Sequence, residues 1–415
     1  MILVKKANYI KIIYPNREIF HYLMKRVVKM NDNLKKKFEE LIVDKRMASA
    51  LCVTFGNENN DYFYCGGRLA EDDINKTNIN SIFDLSSISK FFTLIIVFKV
   101  IELGMLSLDD TITDIDQRFI NLNSITIGDL LSYQFELKTS ERLEKCSNIE
   151  ELEHLLFNVT FSQNKGIYSD IPAMIIRILI EKIMNEDFFS LIEKWIIKPC
   201  KLENTYINIP DDMLSNTVSN NFEHRIIKNR FITYDHITRG ICNDGKSQVF
   251  KNIKFAGHAG IFSSISDMSK LCKKFLNYEL LSKKNVFSLG INRTGEKING
   301  NYTKFFGYLC YSKHPIRIYS EVNHQLSEKT IAFGGYTGNQ LTIDPVNNIY
   351  IFMAANRCHN RVTQIIPKAD SNKYIKMMNG SKTIQHQGIT YIYTKDFVYA
   401  RDENVIDPIV EYLLS

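Results

Sequence analysis

SIFDLSSISKFF, from Ser81 to Phe92, has the pattern of a helix start: Asp84 can cap it, two serines occupy the first turn and an apolar run follows. Ser87 and Lys90 are three residues apart, so on a helix they share one face, with about 4.5 Å of rise between them. The pair can act as a nucleophile and its base, provided that burial or a neighbouring charge lowers the pKa of the lysine towards neutrality. A helix N-terminus also favours a nucleophile that becomes anionic.

Ser-x-x-Lys spacing alone is a weak signal. The chain contains a second copy, Ser162 to Lys165 in SQNK, and a solvated serine and lysine at any helix start would give the same letters. The helical context favours Ser87 as the reactive serine, because a long apolar run follows it.

Composition limits the classes of protein that fit. The 415 residues are 45% apolar and 24% charged, as in ordinary globular chains, and they suffice for one large domain or two moderate ones. The net charge of +6 is spread without a block of like charges, so no nucleic-acid partner is predicted. No G-x-S-x-G, H-E-x-x-H or G-x-x-x-x-G-K motif occurs, and the sequence predicts neither a metal nor another cofactor.

Cysteines and apolar runs bear on location. The eight cysteines include no C-x-x-C pair, which favours a reduced, cytosolic setting. The first twenty residues lack the apolar core of a signal peptide. The most apolar run, FFTLIIVFKVIELGML, contains Lys99 and Glu102 and is too short to span a bilayer. We therefore expect a cytoplasmic protein with no membrane partner.

Apolar periodicity predicts the order of helices and strands. A polar leader helix is expected over about Asn31–Asp44, then a hairpin formed by ASALCVTFG and DYFYCGGRL, then a long helix from about Ser86 to Leu103, where Gly104 ends it. Residues from about 125 to 290 are mostly helical in pattern, as in IPAMIIRILIEKIM and DFFSLIEKWII. GNQLTIDPVNNIYIFMAANR predicts two strands around a Pro345–Asn348 turn, ITYIYTKDFVYA another hairpin, and VIDPIVEYLLS a closing helix.

Strands at both ends with helices between them predict a discontinuous sheet lobe that carries an inserted helical lobe. We expect a leader segment over 1–45 and a single catalytic domain over 46–415. The sheet lobe would comprise about 46–85 and 300–415, and the helical lobe about 86–299. An active site would lie in the groove between the lobes.

Several segments, taken in order, resemble one protein family. FDLSSISKFFT is followed by VIELGMLSLDDTITDI, ITIGDLLSYQFEL, GIYSDIPAMIIRILIEKI, FAGHAGIFSSISDMSKL, and FGGYTGNQLTIDP with MAANRCHN. This order is similar to that of the serine β-lactamase and penicillin-binding-protein-like family, in its class C β-lactamase and esterase branch, over roughly residues 45–360. The resemblance implies a two-lobed α/β (α+β) fold, in which an antiparallel sheet flanked by helices is joined to a mostly helical lobe.

The resemblance also implies a role for each site residue. Ser87 would attack a carbonyl and form an acyl-enzyme, Lys90 would take its proton, and Tyr168 would relay a proton to the leaving group. The oxyanion would be held by the backbone N–H groups of Ser87 and Tyr336. Gly334 and Gly335 would precede Tyr336 on the substrate strand, and the expected substrate contacts are Asp170, His258 and Phe333.

Two places depart from the family pattern. Asp170 stands where asparagine is usual; once ionised it cannot donate a hydrogen bond, but it could lower the cost of a protonated lysine. Aligned without a gap, Phe333, Gly334 and Gly335 stand where the family has a Lys/His-Thr-Gly triplet. Penicillin-interacting members use the basic and hydroxyl side chains of that triplet to hold a substrate carboxylate. We therefore expect a neutral ester or amide, or a substrate held elsewhere.

Two further motifs favour structural interpretations. Arg293–Thr294–Gly295 imitates the basic triplet but lacks a strand-like continuation, which favours a loop. His258 lies between glycines in GHAG, where a tight backbone approach beside the cleft favours a structural or substrate-contacting role over a catalytic one.

The sequence thus predicts a serine hydrolase or acyltransferase that acts on a small-molecule ester or amide through a Ser87 acyl-enzyme. Two alternatives stay open: a catalytically silent β-lactamase-like protein that binds a ligand or partner through the same cleft, and a penicillin-interacting β-lactamase or DD-peptidase. The sequence does not specify the natural substrate, the acyl acceptor or the oligomeric state.

Overall fold

A five-stranded antiparallel sheet, called the central sheet below, draws its strands from early and late parts of the chain. The computed structural model describes residues 30–57, 59–220, 223–232, 238–295, 304–367 and 371–415, and also a pair of two-residue strands, Lys5–Lys6 and Tyr9–Ile10. The strand order of the central sheet is Ile331–Gly334, Gln340–Asp344, Ile349–Ala355, Ala50–Asn57 and Asp61–Gly67.

Both hairpins predicted within this sheet are confirmed. Ala50–Asn57 pairs with Asp61–Gly67, and Gln340–Asp344 pairs with Ile349–Ala355. The second turn ends at Asn348, whose φ of 54° lies in the left-handed region that asparagine tolerates.

Both faces of the central sheet are buried. Ala50 and Cys52 belong to the core on one face, whereas Leu51, Val53 and Phe55 belong to the core on the other. Apolar residues therefore occupy successive positions of this strand, as is typical of a sheet covered on both faces.

The helix that follows Ser87 is buried on all sides. A 3₁₀ turn, Ser86–Ile88, leads into the helix Ser89–Glu102, whose side chains are apolar nearly all round and almost all buried. Gly104 follows with a φ of 70° and ends the helix, as predicted. Within the described ranges, no helix is long and apolar enough to cross a membrane.

Two helical segments, one early and one late in the chain, cover the face of the central sheet that carries Leu51, Val53 and Phe55. The predicted leader helix is confirmed as Asp32–Glu39, which continues as a π-helical turn, Glu40–Asp44. The predicted closing helix is confirmed as Asp402–Ile406 followed by Asp407–Leu414. Apolar residues of these segments form one core with the sheet. The domain boundary near residue 45 stays a prediction.

A second sheet, which the sequence does not predict, has six strands. Two of them come from the mostly helical stretch, and the turn that joins these two places Lys228 and Asn229 at positive φ. The strand order is Ile375–Met378, Ser381–His386, Ile389–Tyr393, Arg361–Ile366, Glu223–Ile227 and Arg230–Ile232.

The hairpin predicted in ITYIYTKDFVYA is wrong. Ile389–Tyr393 pairs with the preceding strand, Ser381–His386, across Gln387 and Gly388, which both have positive φ as a type I′ turn requires. The later part of the motif forms the helix Phe397–Arg401.

The helical part of the chain combines two longer helices with many short ones. Ile171–Met184, predicted from its apolar periodicity, packs against Ser89–Glu102. The predicted fold class is confirmed: antiparallel sheet flanked by helices, joined to a mostly helical region. The remaining helices are Ile112–Ile115, Gln117–Leu122, Ile127–Leu131, Leu143–Lys145, Ile149–Phe157, Phe188–Ile192 with Glu193–Ile197 and Lys198–Cys200, Asp211–Asn216, Gly245–Gln248, Ile265–Leu276, Lys283–Leu289, Arg317–Tyr319 and Ser371–Tyr374, and the remaining strand pairs are Phe83–Asp84 with Phe262–Ser263 and Glu136–Lys138 with Thr160–Ser162.

Candidate active site

A cleft of about 520 Å³ opens at the start of the Ser89–Glu102 helix. The central sheet contributes the end of the strand Ile331–Gly334 and the turn after it, the helical region contributes a second side, and the second sheet contributes Arg225 and Gln364. Six of the nine predicted site residues line the cleft: Ser87, Tyr168, Asp170, Gly334, Gly335 and Tyr336.

Ser87, Lys90 and Tyr168 meet as predicted. The Nζ atom of Lys90 lies 3.1 Å from Ser87 Oγ and 2.7 Å from the Tyr168 hydroxyl. Ser87 reaches this position because a 3₁₀ turn precedes the helix, and one helical turn then brings Lys90 back to the same face. The arrangement gives a hydroxyl, a base and a second proton carrier within hydrogen-bond reach of one another.

Lys90 is buried on a largely apolar helix. Its side chain is 1% exposed. Burial lowers the pKa of Lys90, and this effect outweighs the opposing attraction of Asp170. Lys90 thus meets the requirement for a lysine that acts as a base, which is a pKa below the usual value.

The Tyr168 ring is held by aromatic stacking. It is parallel to Tyr311, with the ring centroids 5.6 Å apart, and lies 6.1 Å from Phe306. Burial of the hydroxyl and the nearby Asp170 carboxylate raise the pKa of Tyr168. The tyrosine is therefore a neutral phenol at physiological pH, able to pass a proton on.

Asp170 joins the serine–lysine pair to a second set of charges. One carboxylate oxygen lies 2.7 Å from Lys90 Nζ and the other 3.1 Å from Lys246 Nζ, which is also 2.8 Å from Asp244. Burial works to raise the pKa of Asp170, but Lys90, His258 and Lys246 outweigh it and hold the pKa well below its usual range. Asp170 is thus an ionised carboxylate shared by two lysine side chains.

The turn after the strand Ile331–Gly334 approaches the nucleophile turn closely. A Cβ atom on Gly335 would lie 3.0 Å from the Leu85 carbonyl oxygen, so a side chain there would crowd the backbone. The Tyr336 N–H, the predicted second oxyanion donor, donates to Ser86 Oγ at 3.0 Å. Ser86 has a φ of 51°, and its own N–H donates to Asp84 at 2.8 Å.

His258 and Phe333 do not line the cleft, which corrects the substrate contacts expected for them. His258 is fully buried, and its Nε2 lies 2.8 Å from Asp244. Its neighbour Gly257 has a φ of 95° and lies against the helix Ile171–Met184, where a Cβ would be 2.5 Å from the Ala173 carbonyl oxygen. The glycine-flanked stretch therefore packs closely against this helix, beside the cleft.

Phe333 points into the core because it alternates with its neighbours on a strand of the central sheet. It is 3% exposed, and its ring lies 5.7 Å from that of Phe91. Phe333 thus packs against the Ser89–Glu102 helix, whereas the adjacent Gly334 faces the cleft.

The second Ser-x-x-Lys motif and the Arg293–Thr294–Gly295 triplet both lie outside the cleft. Ser162 ends the strand Thr160–Ser162, and its hydroxyl donates to Glu136, so no helix aligns it with Lys165. Arg293 lies in a loop, as predicted, with its guanidinium over the Tyr308 ring.

Sequence reasoning missed several residues that line the cleft, among them Ser86, Asp244, Lys246 and Arg357. Asp244 carries a local signal, because it caps the short helix Gly245–Gln248 and accepts the Ser247 N–H at 2.9 Å. Arg357 donates from Nε to the Tyr336 carbonyl oxygen at 2.6 Å and lies over the Tyr336 ring. No spacing in the sequence connects either residue to Ser87.

Three potential metal ligands lie together beside Lys90. They are Asp170, Asp244 and His258, and among the residues that the structure describes this is the only cluster of three or more side chains placed to share a metal ion. The Lys246 ammonium contacts both carboxylates, so a cationic side chain already balances them. The absence of a metal from the reaction stays a prediction.

A serine and a tyrosine that both contact the buried Lys90, at the mouth of a cleft between sheet and helices, form the arrangement expected of a serine hydrolase. Residues 34–369 match the family described as Beta-lactamase, and this chain belongs to that family.

Three-dimensional comparison agrees with the family at the level of the fold. EstCE1, described as a hydrolase with promiscuous acyltransferase activity, superposes with a TM-score of 0.61 at 16% identity, over 78% of this chain and 93% of its own. A class C beta-lactamase from Rhodobacter sphaeroides gives 0.60 at 16% identity, over 79% and 94%.

Curated relatives include Salmonella proteins that carry the name D-alanyl-D-alanine carboxypeptidase. The protein of Salmonella typhimurium strain LT2 is 26% identical over 353 residues, which cover 75% of this chain and 77% of the relative. That of Salmonella enteritidis PT4 is 28% identical over 233 residues, 51% of this chain and 49% of the relative. The chain thus matches about half the length of some of these relatives.

Proposed function

We propose that this protein is a serine hydrolase that cleaves an ester or amide through an acyl-enzyme on Ser87. The observation that carries the proposal is the buried Lys90 Nζ, 3.1 Å from Ser87 Oγ and 2.7 Å from the Tyr168 hydroxyl. An amine so placed can accept the serine proton as the oxygen attacks.

The first half-reaction follows from this geometry. Ser87 Oγ forms a bond to the substrate carbonyl carbon while Lys90 takes the hydroxyl proton. The resulting oxyanion is held by backbone N–H groups of Ser87 and Tyr336. As the bond to the leaving group breaks, a proton passes from Lys90 through Tyr168 to that group, which leaves as an alcohol or amine.

The second half-reaction releases the acyl group. Water, or another hydroxyl or amine acceptor, attacks the ester on Ser87 while the Lys90–Tyr168 pair takes its proton, and the serine regains a proton as it leaves. Hydrolysis and acyl transfer therefore differ only in the acceptor. The cleft opens to solvent beside Ser87, which supports water as one acceptor.

Covalent labelling tests the proposal. A fluorophosphonate should add to Ser87 in the native protein, as seen by intact mass and peptide mapping, and should not add in Ser87→Ala. Ser162→Ala, the matched control from the second Ser-x-x-Lys motif, should label like the native protein. An unlabelled native protein with an intact fold would overturn the proposal and favour a catalytically silent binding protein. A panel of p-nitrophenyl esters and D-amino-acid amides then defines the substrate class.

A penicillin-interacting activity is the second candidate, and the names of the Salmonella relatives favour it. The segment Phe333–Gly335 offers no basic or hydroxyl side chain to hold a substrate carboxylate. We therefore expect a neutral ester or amide to be the better substrate. Fast cephalosporin hydrolysis or a stable penicillin adduct on Ser87 would instead support the second candidate.

A further inference from the structure

Asp170 creates a difficulty for a lysine that acts as a base. An ionised carboxylate 2.7 Å from Lys90 Nζ stabilises the ammonium form, and only the neutral amine can take a proton from Ser87. With Lys90 as its sole partner, Asp170 would therefore shift the base further towards its inactive form.

Lys246 reaches the same carboxylate from the other side. Its Nζ lies 3.1 Å from Asp170 Oδ2, whereas Lys90 lies against Oδ1. The Lys246 ammonium has two effects: it takes part of the attraction of the carboxylate, and its own positive charge disfavours protonation of the Lys90 amine.

The fold holds Lys246 firmly in this position. Asp244 contacts the same ammonium at 2.8 Å, and its other oxygen lies 2.8 Å from His258 Nε2 and accepts the Ser247 N–H. Lys246 is 22% exposed at the edge of the cleft, so it is fixed between two carboxylates without being sealed away.

We propose that Lys246 is a positioning residue that shares Asp170 with Lys90 and thereby keeps Lys90 available as the base for Ser87. The inference rests on the proposed function, because Lys90 must act as a base for the sharing to matter. Among the described residues, six groups face Lys90: the Ser87 and Tyr168 hydroxyls, the carboxylates of Asp170 and Asp244, the His258 carbonyl oxygen, and the Lys246 ammonium. Glu144 also lines the cleft and interacts electrostatically with Lys246.

The test measures how the rate of fluorophosphonate labelling of Ser87 rises with pH. Labelling requires neutral Lys90, so the midpoint of the rise reports its deprotonation. In Lys246→Met the whole attraction of Asp170 falls on Lys90, and the midpoint should move up by about one pH unit or more. In Asp170→Asn it should move down, and in the double variant it should return towards the native value.

Two controls separate charge from structure. Lys246→Arg keeps the cation and should keep the native midpoint. Lys254→Met removes another partly exposed lysine, which pairs with Glu181 outside the cleft, and should also leave the midpoint unchanged. Melting temperatures of all variants show whether the fold is intact.

A second readout does not depend on activity. The ¹³C shift of the Lys90 Cε, assigned with Lys90→Arg, gives its protonation directly, and its pKa should rise in Lys246→Met. An unchanged pKa, or a rise that persists in full in the double variant, would overturn the role of Lys246. Absence of labelling in the native protein with the pKa shifts as stated would overturn the proposed function alone.

Discussion

The backbone N–H of Tyr336 donates a hydrogen bond to the Ser86 hydroxyl at 3.0 Å. This N–H is one of the two donors expected to hold the oxyanion, so Ser86, the residue before the nucleophile, competes with the reaction intermediate for it. Ser86 can accept this hydrogen bond because its positive φ of 51° directs its side chain towards the segment that follows the strand Ile331–Gly334.

Ser86→Gly should raise kcat/KM for a p-nitrophenyl ester a few-fold. Glycine adopts a positive φ without strain and removes the competing acceptor, so Tyr336 can donate to the oxyanion at less cost. Ser86→Ala should change activity in the same direction, but it should not relieve the strain at this φ as glycine does, because alanine and serine both carry a Cβ. A fall in kcat/KM in both variants would show that the hydroxyl itself assists the reaction.

Lys90→Met should reduce kcat/KM by about 10²–10⁴, the usual contribution of a general base. Methionine fills a similar apolar channel, and Asp170 keeps Lys246 as its partner. The matched control is Lys165→Met in the second Ser-x-x-Lys motif, which should retain native rates. Steady-state kinetics with circular dichroism checks both, and equal losses in the two variants would contradict the assignment.

Arg357→Met should lower kcat about tenfold with little change in KM. The arginine holds the backbone of Tyr336 through its carbonyl oxygen, at 2.6 Å, one residue's rotation away from its N–H. That N–H acts only once the oxyanion forms. Arg230, which is exposed on the second sheet, provides the control as Arg230→Met. A change confined to KM would show that Arg357 binds substrate instead of positioning the donor.

Glu321→Gln should destabilise the protein by about 3 kcal/mol at pH 7. Burial alone would raise the pKa of Glu321, but Arg401 and Lys304 lower it to about 2. A depressed folded-state pKa stabilises the fold fully above the unfolded value, near 4.3, and this contribution is lost as the pH falls towards 2.

The difference between native and Glu321→Gln protein in urea unfolding should therefore shrink as the pH falls below about 4.3. Glu328→Gln is the control, because Glu328 is 75% exposed and pairs with Lys313 at the surface. A difference that stays constant from pH 7 to pH 3 would show that packing, and not charge, accounts for the effect.

Local sequence signals predicted the parts of the molecule that depend on short spacing. The Ser87–Lys90 contact follows from one turn of helix, and the hairpins of the central sheet follow from turn residues between β-rich runs. Tyr168 was predicted by resemblance alone, because nothing in its own neighbourhood shows that it meets Lys90.

The unpredicted parts depend on contacts between distant segments. Glu223–Ile227 becomes a strand by pairing with Arg361–Ile366, far along the chain. Lys246 meets Asp170 only after the helical region has folded, and the role of Ser86 follows from a backbone angle that no residue pattern specifies.

The pairing of Glu223–Ile227 with Arg361–Ile366 also constrains how the cleft admits substrate. Arg225 and Gln364 are partners in this parallel register, and both line the cleft. One wall is thus a backbone ladder contributed by two remote stretches of chain, and a hinge-like opening at this wall would have to break its hydrogen bonds. The spacing of these two stretches beside the cleft is therefore set by main-chain hydrogen bonds, whatever rotamers the Arg225 and Gln364 side chains adopt.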